Sequence, residues 1–101
     1  RITAYRQLGE IMTRRELDDL EAQWRDQFGE KLPHAVTNLI TCASIRLAAA
    51  HNGISDVEIK ERKLMLTRNG KMVMIQGKFP RLTAKEGHKQ LIETLAMLRT
   101  L

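Results

Sequence analysis

Aromatic residues are scarce in this chain, with one tryptophan, one tyrosine and two phenylalanines among 101 residues. Without rings spaced along a groove there is no stacking platform for single-stranded bases, and no helix-turn-helix or recognition-helix pattern takes its place. Cysteine occurs once. No internal disulfide can form, and Cys42, set in a predicted helix among Ile40, Ala43 and Ile45, reads as a small buried hydrophobe in a reducing compartment. No apolar run approaches the roughly 18 residues of a membrane span, and no charged-then-apolar leader precedes a small-residue cleavage site. His34, His51 and His88 are scattered, with neither an H-x-x-x-H pair nor a cysteine at metal-ligand spacing. Arg68-Asn69-Gly70-Lys71 is the nearest approach to a phosphate loop, but it lacks the glycine-lysine series and leads into a strand. Asp18 and Asp19 point to different helix faces and suit a solvated surface near a helix N-terminus. The chain therefore has no constellation for catalysis, and we expect no catalytic residue, metal or cofactor in it.

What is present describes a folded module. The hydrophobic fraction of 43% argues against gross disorder, and the length suits one domain, residues 1–101, with a core that needs no disulfide or metal. Because the chain opens on Arg1 instead of methionine, it reads as a fragment of a longer cytoplasmic protein. Its net charge of +5 is unevenly placed. Lys60, Arg62, Lys63, Arg68, Lys71, Lys78, Arg81, Lys85 and Lys89 crowd a region whose only acids are Glu61 and Glu86. Such a patch fits a nucleic-acid surface, a solvated face, or the complement of a neighbouring domain. On the first of these, Lys63, Arg68, Lys71 and Lys78 would meet phosphates.

Periodicity gives an α+β architecture, three N-terminal helices, a three-stranded antiparallel meander and a C-terminal helix, in the order α-α-α-β-β-β-α. The first helix, about 2–12, aligns Ile2, Tyr5, Leu8 and Ile11 or Met12. Thr13 and Glu16 have the spacing of a capping box, and Leu17, Leu20, Trp24 and Phe28 then form one apolar stripe. Gly29 supplies a stop, and Pro33 opens a third helix, about 33–52. Its apolar positions are Val36, Leu39, Ile40, Ala43, Leu47 and Ala50. Small residues at Ser44, Ala48 and Ala49 permit close approach on further sides, so this helix is expected at the centre, ending at Asn52-Gly53.

The period then changes to two. Asn69-Gly70 is a strong hairpin signal that pairs Leu66 with Val73 and Leu64 with Ile75, while a turn at Glu61-Arg62 pairs Val57 with Leu66 and Ile59 with Leu64. Glu-Arg is poor chemistry for a primed turn. The opposite face carries Glu58, Met65, Thr67, Met72 and Met74, either an adaptable contact patch or a surface covered by a terminal segment. Thr83 and Glu86 suggest a second capping box before a last helix whose inner side holds Leu91, Ile92, Leu95, Leu98 and Leu101.

The ordered series Glu16-Leu17-Asp18-Asp19-Leu20, Asp26-Gln27-Phe28-Gly29 and Leu32-Pro33 resembles a family signature, E-L-x-x-L running into D-R-F-G-x-L-P. That signature belongs to the C-terminal (TRCF) domain of bacterial transcription-repair coupling factors. Arg1, Tyr5 and Arg6 upstream, Leu39, Arg46 and Gly53 downstream, and the stretch from Leu66 to Leu82 extend the likeness over the whole chain. The resemblance implies a parent that is an ATP-driven double-stranded DNA translocase, with ATP and magnesium bound elsewhere in it. Such a parent acts on stalled RNA polymerase and recruits UvrA for nucleotide excision repair. Its last domain packs on a UvrB-like domain of the same protein and masks UvrA binding until polymerase is engaged. Carried over by position, the interdomain contact falls on Gln23, Asp26 and Gln27. Asp26 keeps the family's charge, Gln23 replaces a frequent acid and Gln27 an arginine, and Glu30-Lys31 lengthens the loop.

Overall fold

The computed structural model describes residues 2–101, with side chains described from Tyr5 onward, so Arg1 and the side chain of Ile2 lie outside the described residues. Four helices and three strands follow the expected order: α1 (Ile2–Glu10), α2 (Arg14–Phe28), α3 (His34–His51), β1 (Ile54–Lys60), β2 (Lys63–Arg68), β3 (Lys71–Met72) and α4 (Gly87–Arg99).

The capping box at the start of α2 forms as its spacing requires. The Glu16 amide donates to Thr13 Oγ1 at 3.1 Å, and Glu16 Oε1 accepts from the Thr13 and Met12 amides, each at 3.0 Å. Donation from Met12, seconded by the Thr13 hydroxyl, holds the Glu16 carboxyl below its ordinary range. At the other end Gly29 adopts φ 106°, a conformation open to glycine, and its amide returns to Arg25 O at 2.9 Å. Pro33 stands just outside α3 as its cap, so the helix begins at His34, one position after the expected start.

The molecule is elongated, 46 × 27 × 23 Å, and its interior forms two apolar clusters along α3. The first joins Leu8 and Ile11 to Leu17, Leu20 and Trp24 of α2, Leu32 of the loop, and Ile40 and Ala43 of α3. The second sets Ile45 and Ala49 of α3 against Ile54, Leu64 and Leu66 of the sheet and Leu98 of α4. Helix α3 thus presents one face to each cluster, which is why its buried residues include Ile40, Ala43, Ser44, Ile45 and Ala49 without a single stripe. Ala50, expected inside, is exposed.

Polar ties lock the helices at α3. Arg46 Nη2 donates to Leu8 O at 2.8 Å and so caps the end of α1, while Arg14 Nη1 reaches Ser44 Oγ at 2.9 Å. Asn52 Nδ2 donates to Ala48 O at 2.9 Å and Leu98 O at 3.1 Å, and its own carbonyl accepts from Arg68 Nε at 3.1 Å. One residue thereby joins the end of α3 to α4 and β2. Gly53, at φ 71°, takes the left-handed stop alone.

In the sheet, Val57 pairs with Leu66 and Ile59 with Leu64, as the turn at Glu61-Arg62 predicts. A bulge follows at the start of β1, between Ile54 and Asp56. The third strand departs from expectation. Val73 does reach Leu66, its amide donating to Leu66 O at 2.8 Å, but Ile75 does not meet Leu64. Ile75 instead pairs with Lys78 around a tight turn in which Gln76 and Gly77 have φ 53° and 77°. The Leu64 amide donates to Pro80 O at 2.8 Å and the Leu82 amide to Arg62 O at 2.7 Å. Residues 80–82 thus replace the end of β3 along β2, with Pro80 and Leu82 buried and Arg81 facing out. Period-two reasoning could not see this substitution, because a tight hairpin in the connecting segment preserves the alternation while removing its residues from the sheet.

Three further expectations are corrected. Tyr5 and Phe28, read as core, are 55% and 67% exposed, since the first cluster closes over Leu8, Ile11 and Trp24 and leaves both rings at the ends of their stripes. In α4 Ile92 and Leu101 are exposed, and Thr94 is fully buried with its hydroxyl donating to Gln90 O at 2.8 Å. Leu91, Thr94, Leu95 and Leu98 share one face, and Ile92 falls off it. The second capping box is absent: Glu86 caps without a side-chain bond, and Thr83 donates its amide to Glu93 Oε2 at 2.8 Å. Glu93, from within α4, gathers the incoming loop by accepting the Ala84 amide as well, at 3.1 Å.

Candidate interdomain contact surface

On α2, Asp19, Gln23, Asp26 and Gln27 recur at steps of four, three and one, so they form a stripe beside the buried one of Leu17, Leu20 and Trp24. All four side chains are exposed. The structure therefore brings Gln23, Asp26 and Gln27 together on one accessible surface and adds Asp19, which sequence reasoning passed over as part of a solvated pair. Its spacing of four from Gln23 was the available signal.

The stripe borders a groove of about 330 Å³ between α1 and α2, lined by Gln7, Glu10, Ile11, Glu16, Asp19, Leu20 and Gln23. Among the described residues three acids and no cation line it. Glu16 is committed to the capping box, so Glu10 and Asp19 are the carboxylates left for an incoming group. Below the stripe, Arg25 is unavailable to a partner. Its guanidinium is held by Glu21 Oε2 at 2.8 and 3.2 Å and also donates to the Glu30 carbonyl, which fixes the loop after Gly29. Glu30-Lys31 is in this way tied back against α2.

Phe28 continues the buried stripe of Leu17 and Trp24 and so lies across the helix from Asp19 and Asp26. It follows Gln27 at the end of α2 and is exposed, although an aromatic ring left in water forgoes burial worth about 2 kcal/mol. The stripe and groove suit a cationic partner, and they contain no reacting constellation among the described residues.

The four basic residues singled out as a phosphate surface do not share a face. Lys63 lies opposite Lys60, on the sheet face away from the helices, whereas Arg68 lies opposite Ile54 and is drawn inward to Asn52. Lys71 pairs with Arg68, and Lys78 sits in the small hairpin with Ile75. Of the other candidates, Cys42 is exposed on α3, not buried as expected; partial desolvation still pushes its thiol up, away from reactivity. His34 and His88 stack with ring centroids 4.4 Å apart, joining the first turns of α3 and α4. Their side-by-side placement follows from the two helices running in the same direction. Among the described residues no group of three or more His, Cys, Asp or Glu converges as metal ligands, and no helix is long and apolar enough to cross a membrane.

Comparison with known families matches residues 1–76 to the model of the TRCF domain. No curated protein and no solved structure gives a match. The matched part holds α1 to α3, the sheet and the whole acidic surface of α2; Lys78 to Leu82 and α4 lie beyond it.

Proposed function

The chain belongs to the TRCF domain family, which sets it in a transcription-repair coupling factor and among DNA-repair machinery, and from that premise we propose that it is a non-catalytic regulatory clamp. It packs through Asp19, Gln23, Asp26 and Gln27 on the UvrB-like domain of its own protein and masks the surface that recruits UvrA. The parent supplies the ATP-dependent translocation on double-stranded DNA and the contact with stalled RNA polymerase. The observation that carries this reading is the exposed stripe of Asp19, Gln23, Asp26 and Gln27 on α2, whose two carboxylates make no ion pair among the described residues.

A clamp of this kind must open, so its contact cannot be an obligate, fully apolar interface. Rim charges and amides suit that requirement, because tethering within one chain raises the local concentration of the partner surface to the millimolar range and modest contacts suffice. The glutamines at positions 23 and 27 still donate and accept hydrogen bonds, leaving Asp26 and Asp19 to carry the electrostatic part.

The test adds this domain in trans to a coupling factor truncated before it and measures UvrA affinity. The domain should lower that affinity, and Asp26→Lys should relieve the effect about tenfold by placing like charges across the contact. Unchanged UvrA affinity on adding the wild-type domain sinks the assignment.

A further inference from the structure

The sheet has a second face that, among the described residues, no helix covers. Its inner face, with Ile54, Val57, Ile59, Leu64, Leu66 and Val73, packs on α3 and α4. Side chains alternate across a strand, so the residues between these point outward. Cross-strand pairing then fixes their neighbours. At one end Lys60 lies opposite Lys63, and Lys63 lies opposite Arg81, giving a row of three cations across three adjacent segments. Like charges placed directly opposite destabilise a sheet. All three are exposed, and none makes an ion pair among the described residues. Glu58 and Asp56, the acids of the same face, pair instead with Met65 and Thr67.

Beside the cations the face turns apolar. Met65 is half-buried next to Lys63, and Met72 and Met74 are 43% and 45% exposed. Thr67 Oγ1 contacts Met72 Sδ at 3.9 Å, holding that thioether at the far end of the face. Two residues of strand separate Lys63 from Met65, about 7 Å.

We propose that this outer face docks an acidic protein segment, whose carboxylates neutralise Lys60, Lys63 and Arg81 and whose apolar side chains lie on Met65 and Met72. Duplex DNA would satisfy the cations but gives the methionines nothing to cover them, whereas adaptable thioethers favour an amphipathic protein partner. Asp56 repels acids from the methionine end and so sets the polarity of the segment. The surface is separate from the acidic stripe of α2 and does not depend on that stripe being the clamp.

The probe is a short fluorescein-labelled peptide with glutamates in one half and leucines in the other, compared with an all-glutamate peptide of equal length and a short DNA duplex. By fluorescence anisotropy at low salt, the mixed peptide should bind the 101-residue domain about tenfold more tightly than the all-glutamate peptide. Lys63→Glu and Arg81→Glu should each weaken it by about tenfold, Met72→Ser should abolish the preference over all-glutamate, and Lys78→Glu should change nothing. Circular dichroism and melting temperature verify that each surface variant is folded. Absence of binding, unchanged affinity in both charge reversals, equal binding of the two peptides, or tighter binding of DNA than of either peptide would each overturn the proposal.

Discussion

Replacing Glu61-Arg62 by Asn-Gly should stabilise the protein, although neither residue touches the core. Lys60 pairs with Lys63 across these two positions, and their φ values of 53° and 63° are those of a primed turn. An L-residue with a side chain pays about 1–2 kcal/mol in this left-handed region, and glycine at position 62 pays nothing in the folded state. Glycine also frees the unfolded chain, which returns about 0.5–1 kcal/mol of the gain. Asparagine tolerates the left-handed region better than glutamate and adds a further part. The net expectation is a gain of about 1 kcal/mol, or about 4–8 °C in Tm for a domain of this size. The exchange removes one charge of each sign, so the net charge of +5 is unchanged and long-range electrostatics are controlled. Urea unfolding followed by Trp24 fluorescence and by circular dichroism should give coincident curves with a raised midpoint and an unchanged slope. A midpoint that stays put or falls refutes the strain argument.

Two further outcomes probe other parts of the fold. Leu98→Ala removes a fully buried side chain from the second cluster and should cost about 2–5 kcal/mol in urea unfolding, whereas Ile92→Ala, exposed on the same helix, should cost under about 1 kcal/mol; equal effects would contradict the α4 orientation. Glu93 is held below its ordinary value of 4.5 by the Thr83 and Ala84 amides, so its contribution is present above that value and is lost as pH falls through the depressed one. Melting temperatures of the wild type and Glu93→Gln should accordingly differ at neutral pH and converge in acid, and a gap that widens in acid would reverse the sign of the linkage.

Much of the site was legible because it depends on one helix. Gln23, Asp26 and Gln27 share a surface by helical spacing alone, and the capping box at Thr13 fixes the phase of that helix from four consecutive residues. Phe28 was misjudged because a periodic stripe continues past the point where a neighbour stops covering it. The basic surface was misjudged for a different reason. Lys63 and Arg68 are five apart on one strand, an odd separation that sends them to opposite faces, and Arg81 enters the cationic row only through a bridge to a distant segment.

Local rules operate over a few residues, and what they govern was settled by the sequence itself: the capped start of α2, its glycine stop, the change of period after Gly53, and the registers around both turns. Contacts between segments far apart in the chain depend on which surfaces compete for burial, and tertiary structure alone decided those. It split the core into two clusters along α3, put residues 80–82 where the end of β3 was expected, and turned Glu93 to the incoming loop. It also left Phe28 in water and set Lys60, Lys63 and Arg81 side by side. Exposure is a property of what the rest of the chain fails to cover, and no local pattern encodes it.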